Sequence, residues 1–232
     1  MYHRVEALPP TPGYLPNYVF PEQFDQQLAA LVAWGYTSIT LEQWVEIRAG
    51  RGRAPKRPIA ITFDDGYRSI YENAWPMLRR RSMTATVFLI AGCIGETNRL
   101  ETNELQDPLL NKAEIAEMKE EGISFGSHTL THRPLTGLPQ AEALEELVRS
   151  RTALETLLSR PVTTIAYPYN KHNRRIRALA RLAGYHAAVL GRGRLNTLWT
   201  NPHALMRIAI NAQTTAKEFE SRLCRQRYAT GL

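Results

Sequence analysis

Apolar and polar positions along this chain switch repeatedly between a helical and an extended period. Pro21 to Trp34 carries apolar residues at Phe24, Leu28, Leu31 and Val32, with Pro21 in the first turn and Gly35 just past the end, and predicts a helix. Tyr36 to Ile39 predicts a short strand. Thr40-x-x-Gln43 is a capping-box pattern that opens a helix to about Ala49, before a basic, Gly/Pro-punctuated loop from Gly50 to Pro58. Ile59 to Phe63 is a continuous apolar, β-rich run that stops at Asp64-Asp65-Gly66 and predicts a buried strand. A helical segment follows, with Pro76 starting its second part.

The alternation continues. Strands are predicted at Ala85–Ile90, Ile123–Phe125, Thr164–Tyr167, Ala187–Leu190 and Leu205–Ile210. Asn111-x-x-Glu114 caps a helix closed by Gly122, and Thr215-x-x-Glu218 caps the last one. Pro139 to Leu158 is the longest helix, with Leu144, Leu147, Val148, Leu154 and Leu157 on one side, and Asn173 to Ala183 is an Arg-rich amphipathic helix ended by Gly184. Strands alternating with helices predict an α/β fold with a mainly parallel sheet. The count predicts a distorted (β/α) barrel of about seven parallel strands, one domain over residues 1–232. In such barrels chemistry sits at the C-terminal strand ends, where the polar residues of this chain fall.

Composition adds limits. The net charge is +7, and the arginines that dominate it are scattered, so the basic balance reads as solvated surface. No RNA-binding or zinc-finger spacing occurs, and no nucleic-acid partner is expected. No stretch reaches the ~18 apolar residues of a membrane-spanning helix. Cys93 and Cys224 stand in no metal or redox spacing and read as two free thiols, with one long-range disulfide left open. The chain opens at Met1-Tyr2-His3-Arg4-Val5 with no signal-peptide pattern, on what reads as the tail of a strand. An upstream export segment is therefore expected. With one the protein would be extracytoplasmic or at the cell surface; otherwise it would be cytoplasmic.

Two clusters carry chemistry. Asp64 and Asp65 are adjacent carboxylates ending an apolar strand, which is costly unless something holds them. The turn at Gly66 can bring both toward one site, where a cation would bind one and leave the other as a base. Each could instead be an ordinary cap or turn aspartate. His128 and His132 are four apart, as on one helical face, a spacing that lets two imidazoles converge on an ion. Asp65 is the candidate third ligand, giving two imidazoles and a carboxylate with open positions for water. Ala166-Tyr167-Pro168-Tyr169-Asn170 ends a third strand in the same way.

TFDDGY, SHTLTH and AYPY, in this order, resemble the polysaccharide deacetylase family, the family-4 carbohydrate esterases, over nearly the whole chain. The opening Tyr2-His3-Arg4-Val5, with Phe20-Pro21-Glu22-Gln23-Phe24, is similar to a circularly permuted branch that includes poly-N-acetylglucosamine deacetylases. The resemblance implies Asp64 as general base, Asp65, His128 and His132 as metal ligands, the Tyr169 backbone N–H as an oxyanion donor and His3 as general acid; as histidines of near-neutral pKa, His172 and His203 are alternative acids. It further suggests Tyr167 and Arg207 on the substrate side, Arg207 also as a residue that orients or pairs with the carboxylates. The third motif lacks the upstream Arg of many relatives, so orientation of Asp64 must come from elsewhere. No aspartate is evidently paired with His3.

The implied activity is metal-dependent removal of N-acetyl groups from an N-acetylglucosamine-containing polysaccharide. One divalent ion is expected, Zn2+ by default, with Ni2+, Co2+ or Fe2+ accepted by the same donors. The implied partner is a polysaccharide or oligosaccharide, and the chain is expected to be a monomer. Aromatics at Tyr14, Tyr67, Tyr167, Tyr169 and Trp199 are candidates to stack on sugar rings. Competing readings are an amidase for a non-polymeric substrate such as a lipid-linked amino sugar, a non-catalytic carbohydrate-binding protein, and a basic protein that binds anionic polymer.

Overall fold

The computed structural model of the chain describes residues 1–7, 17–97, 107–191, 193, 195–197 and 199–224. In chain order its strands are β1 (Arg4–Val5), β2 (Tyr18–Val19), β3 (Thr37–Ser38), β4 (Pro58–Ile59), β5 (Thr62–Phe63), β6 (Thr86–Leu89), β7 (Ser124–Ser127), β8 (Thr164–Ala166) and β9 (Ala187–Val189). Its α-helices are α1 (Pro21–Ala33), α2 (Leu41–Arg48), α3 (Trp75–Arg79), α4 (Lys112–Glu120), α5 (Gln140–Leu158), α6 (Arg174–Leu182) and α7 (Ala216–Cys224). The caps fall where the sequence placed them. Thr40 and Asn111 each close a reciprocal capping box, with Gln43 and Glu114. Thr215 and Glu218 exchange the same pair of bonds at the start of α7.

Strands β5 to β9 form one parallel sheet in sequence order. Phe63 pairs with Val87, Val87 with Phe125, and Ile165 with Ala188, and these side chains share one core cluster. Phe88, Ala166, Ala187 and Val189 face a second cluster with Leu41, Val45 and Leu205. Both faces of the sheet are therefore covered, which is why its strands read as unbroken apolar runs. α1 buries Phe24, Gln27, Leu28 and Leu31. Phe24 packs edge-on between Tyr2 and Phe63, a burial worth about 1.5–3 kcal/mol.

The sheet is a curled, open half-barrel of five strands, which corrects the expectation of a closed seven-stranded barrel. The physical reason lies at its two edges. The run Ile59 to Phe63 divides: β4 pairs with β3 in a separate ladder, and only β5 joins the main sheet. At the chain start β1 pairs with β2, so only Tyr2 bridges Phe63. The predicted strand Leu205–Ile210 is reduced to a single bridge from Leu205 to Val189. Beyond it, Met206 exchanges hydrogen bonds with the Asn196 side chain, and Ile208 and Ile210 bond to Met1, so no ladder forms. Two smaller corrections concern helix faces. Val32 and Val148 are half-exposed; Gln27 takes the inward place on α1 and accepts the Tyr2 hydroxyl at 2.9 Å.

Gly126, in the middle of β7, has no room for a side chain. A Cβ there would lie 2.6 Å from both Phe88 Cε1 and Thr164 Oγ1. Gly126→Ala is expected to destabilise the protein by about 1–3 kcal/mol through overpacking, read as a lower urea midpoint at unchanged slope. An unchanged midpoint would show that the sheet yields at this point.

Candidate active site

Because the five strands are parallel, their C-terminal ends share one side, and the candidate residues extend from those ends. β5 stops at Phe63. Asp65 and Gly66 then take left-handed backbone conformations, with φ of 69° and 79°. Asp tolerates that region, and Gly66 requires it. A Cβ on Gly66 would also stand 2.7 Å from Leu89 Cδ2. This double turn sets Asp64 and Asp65 side by side, both buried.

His128 and His132 follow β7 on a loop and not on a helix, which corrects the helical-face reading of their spacing. Thr129 and His132 have φ of 67° and 60°, so the chain curls back on itself. The curl is held by local bonds. Thr129 N–H donates to Ser127 Oγ at 3.1 Å, and His132 N–H to Thr129 Oγ1 at 3.1 Å. Glu146, buried on α5, accepts the Leu130 and Thr131 amides at 3.0 Å each and the Thr131 hydroxyl at 2.5 Å. The motif reading missed Glu146. Its signal was a carboxylate set between Ala143 and Ser150 on the inward stripe of α5, where a charge needs partners.

Asp65, His128 and His132 converge, each offering one donor atom, with these atoms within 4.8 Å of one another. Asp65 Oδ1 is 3.3 Å from His128 Nε2 and 3.4 Å from His132 Nε2. Donors sharing an ion at ~2.1 Å in a tetrahedral arrangement stand ~3.4 Å apart, so the spacing fits a divalent cation. The second contact of His128 supports the fit. Its Nδ1 is 2.8 Å from the Ala166 carbonyl, which can only accept, so Nδ1 carries the proton. In the neutral ring a bare Nε2 then faces a carboxylate oxygen, an opposition that a cation or a second proton must relieve. Burial, and next the proximity of His128, lower the His132 pKa to about 4, keeping that imidazole neutral as a ligand must be.

Asp64 has a different partner. Arg207 meets it fork to fork, Nη1 to Oδ1 and Nη2 to Oδ2 at 2.6 Å each. The guanidinium is itself fixed, Nε donating to Leu190 O at 2.8 Å and Nη1 to Thr62 Oγ1 at 3.2 Å. Burial raises the Asp64 pKa, but Arg207 first and then His128 pull it down, and the net position is below the usual carboxylate value. Arg207 thus provides the orientation that the third motif lacks.

His3 lies alongside. Tyr2 bridges Phe63 in parallel and its carbonyl accepts the Asp64 N–H at 3.0 Å, a register that sets His3 beside Asp64. Burial lowers the His3 pKa, while the charges of Asp65 and Asp64 raise it. Tyr169 is 53% exposed on a left-handed backbone, its ring centroid 4.7 Å from that of His132.

Other candidates are placed elsewhere. Tyr167 is buried, with its hydroxyl donated to the His203 carbonyl, so its side chain offers no surface to a sugar. Tyr67 is buried under the Arg4 guanidinium. His203 is buried with Nε2 2.9 Å from Tyr185 O, and His172 stacks on Tyr167 and meets Arg177, so neither adjoins the carboxylates. Trp199 is almost fully exposed. Tyr14 and the side chain of Cys224 lie outside the described residues; Cys93 is a free thiol. A cavity of about 390 Å³ borders Thr62 and Arg207, with apolar walls such as Trp44, Ile59 and Phe219, and none of the three converging residues lines it.

The sequence pattern of the family described as polysaccharide deacetylase matches residues 51–188, more than half of the chain. The poly-beta-1,6-N-acetyl-D-glucosamine N-deacetylase of Staphylococcus epidermidis is 31% identical over 191 residues, 74% of this chain and 64% of that protein. The chain spans 57–64% of the length of the first curated relatives it matches. IcaB from Ammonifex degensii superposes with a TM-score of 0.81 at 25% identity, over 96% of this chain and 93% of that one. The Streptococcus pyogenes deacetylase PplD, solved in complex with acetate, gives 0.84 at 24% identity over 96% and 95%, a likeness of fold.

Glu146→Ala removes the carboxylate that accepts the partly buried Leu130 and Thr131 amides, and each lost hydrogen bond costs about 0.5–1.5 kcal/mol. The loosened loop is expected to weaken zinc binding by about 10–100-fold, measured by titrating the metal-free protein, and to lower the melting temperature. Zinc affinity equal to the wild type would remove Glu146 from the site.

Proposed function

This chain belongs to the polysaccharide deacetylase family, and on that premise we propose that it is a metal-dependent hydrolase that removes N-acetyl groups from an N-acetylglucosamine-containing polysaccharide. The observation that carries the reading is the division of labour between adjacent aspartates: Asp65 converges with two imidazoles, while Asp64 is held apart by Arg207. A binding protein has no need of a second, separately oriented carboxylate beside its cation.

Asp65, His128 and His132 would hold one divalent ion, zinc by default. Nickel, cobalt and iron suit the same donors. Bound there, such an ion supplies a water of pKa near 7 and polarises the acetyl carbonyl. Asp64, ionised and fixed by Arg207, takes the proton of the attacking water as oxygen bonds to the carbonyl carbon. The Tyr169 backbone N–H donates to the oxygen that gains charge. His3 delivers a proton to nitrogen as the C–N bond breaks, because an amine leaves poorly as an anion. The products are acetate and the free amino sugar.

Two features favour a poly-β-1,6-linked substrate and the permuted branch. One is the likeness to the staphylococcal N-deacetylase. The other, which bears on the branch alone, is that residues 2–3 precede Phe63 and Asp64 in sequence and lie alongside them. In this reading residues 1–232 act as one monomeric catalytic unit.

Asp64→Asn is expected to retain zinc and lose roughly 10²–10⁴-fold in acetate release from acetylated glucosamine oligomers. His128→Ala is expected to lose metal and turnover together. Full turnover by Asp64→Asn would overturn the base assignment, and full activity after removal of metal by a chelator would overturn the reaction class.

A further inference from the structure

Arg4 follows His3 directly and is 1% exposed, the most deeply buried cationic side chain among the described residues. Its guanidinium carbon stands 3.7 Å from the centroid of the Tyr67 ring and 4.8 Å from that of Tyr18. Its Nε is 2.7 Å from Asp107 Oδ2, to which Tyr18 also donates its hydroxyl at 2.9 Å. Tyr67 closes the Asp64-Asp65-Gly66 turn. The segment after Asp107 is bonded to the same turn: Arg68 N–H donates to Pro108 O at 2.9 Å, and Leu110 N–H to Gly66 O at 2.8 Å. One buried cation therefore sits where three stretches of chain meet, carrying His3, the two aspartates and Asp107.

A buried guanidinium is expensive, and an apolar residue of similar volume would fill the space at lower cost. What a guanidinium adds is directional: a plane that stacks and a fork that pairs, both fixed in orientation. His3 needs such help. Among the described residues its imidazole makes no hydrogen bond, so its place is set by the backbone on either side. On one side Tyr2 is tied to Phe63 and Gln27. On the other side there is Arg4.

We propose that Arg4 is a positioning residue whose stacked and ion-paired guanidinium holds His3 in register with Asp64, so that the imidazole meets the leaving nitrogen. This rests on the reading of His3 as the acid. Two substrates separate positioning from simple support of the fold. In an N-acetyl sugar the C–N bond breaks only as nitrogen takes a proton. In 4-nitrophenyl acetate the C–O bond breaks and nitrophenolate leaves without one.

Arg4→Lys and Arg4→Met, made in the full chain and checked for zinc content, are expected to lower kcat on acetylated glucosamine oligomers by about 10²-fold, the size of a 1 Å misplacement, with far less change in ester hydrolysis. Combined with His3→Ala, Arg4→Met should add almost nothing on the amide, since both act through one group. Should Arg4→Met fail to fold, Arg4→Met/Asp107→Asn removes the stranded carboxylate and carries the same test. Equal losses on amide and ester, or fully additive losses with His3→Ala, would overturn the proposal. If His3→Ala itself struck both substrates equally, the acid reading would fall first. If His3→Ala separated them and the Arg4 variants did not, Arg4 alone would lose its role.

Discussion

Two adjacent carboxylates buried at one strand end cannot share a partner, and the structure depends on keeping their charges apart. At an effective dielectric of about 20, unit charges 4 Å apart interact by about 4 kcal/mol, so Asp64 and Asp65 each need a separate source of positive charge. Arg207 answers for Asp64 with two 2.6 Å contacts. Asp65 is left facing two imidazoles, one of which points a bare nitrogen at it in the neutral state. The first arrangement orients the carboxylate proposed as the base. The second calls for a cation. A fork that spanned both aspartates would abolish the distinction on which the proposed chemistry rests.

The scaffold keeps that separation by bringing each partner from a different place. The aspartates follow β5, the imidazoles follow β7, the carbonyl that fixes the His128 tautomer ends β8, and Arg207 comes from beyond β9. A parallel sheet aligns these ends, and left-handed residues at Asp65, Gly66, Thr129 and His132 aim the side chains. Strain at such positions persists only where the surroundings over-determine it. Here Glu146 does so for the histidine loop, and the bond from Leu110 to Gly66 does so for the aspartate turn.

Much of this was legible in the chain. TFDDGY stood out because carboxylates ending an apolar run are costly without a partner, and the histidine pair stood out by its spacing. The helical geometry assigned to that pair was wrong because positive φ at Thr129 and His132 leaves no mark in residue types that also populate helices. The pairing of Arg207 with Asp64 spans 143 residues, so no local pattern reveals it; only the family resemblance pointed there. Strand number was overcounted because an apolar β-rich run records burial, while a ladder also needs a neighbour with free backbone groups. Beyond Leu205, Met206, Ile208 and Ile210 spend backbone bonds on Asn196 and Met1. Tyr167 was placed on the substrate side as an aromatic in a strand-end motif, whereas its hydroxyl bonds inward to the His203 carbonyl.

The most direct test of the two separate charge partners is a crystal structure of the zinc-loaded protein with anomalous diffraction at the zinc edge. The expected map shows one ion ligated by Asp65 Oδ1, His128 Nε2 and His132 Nε2, with Asp64 outside its coordination sphere and still paired with Arg207. An ion bridging both aspartates, with Arg207 displaced, would contradict it, as would an ion bound away from these three side chains.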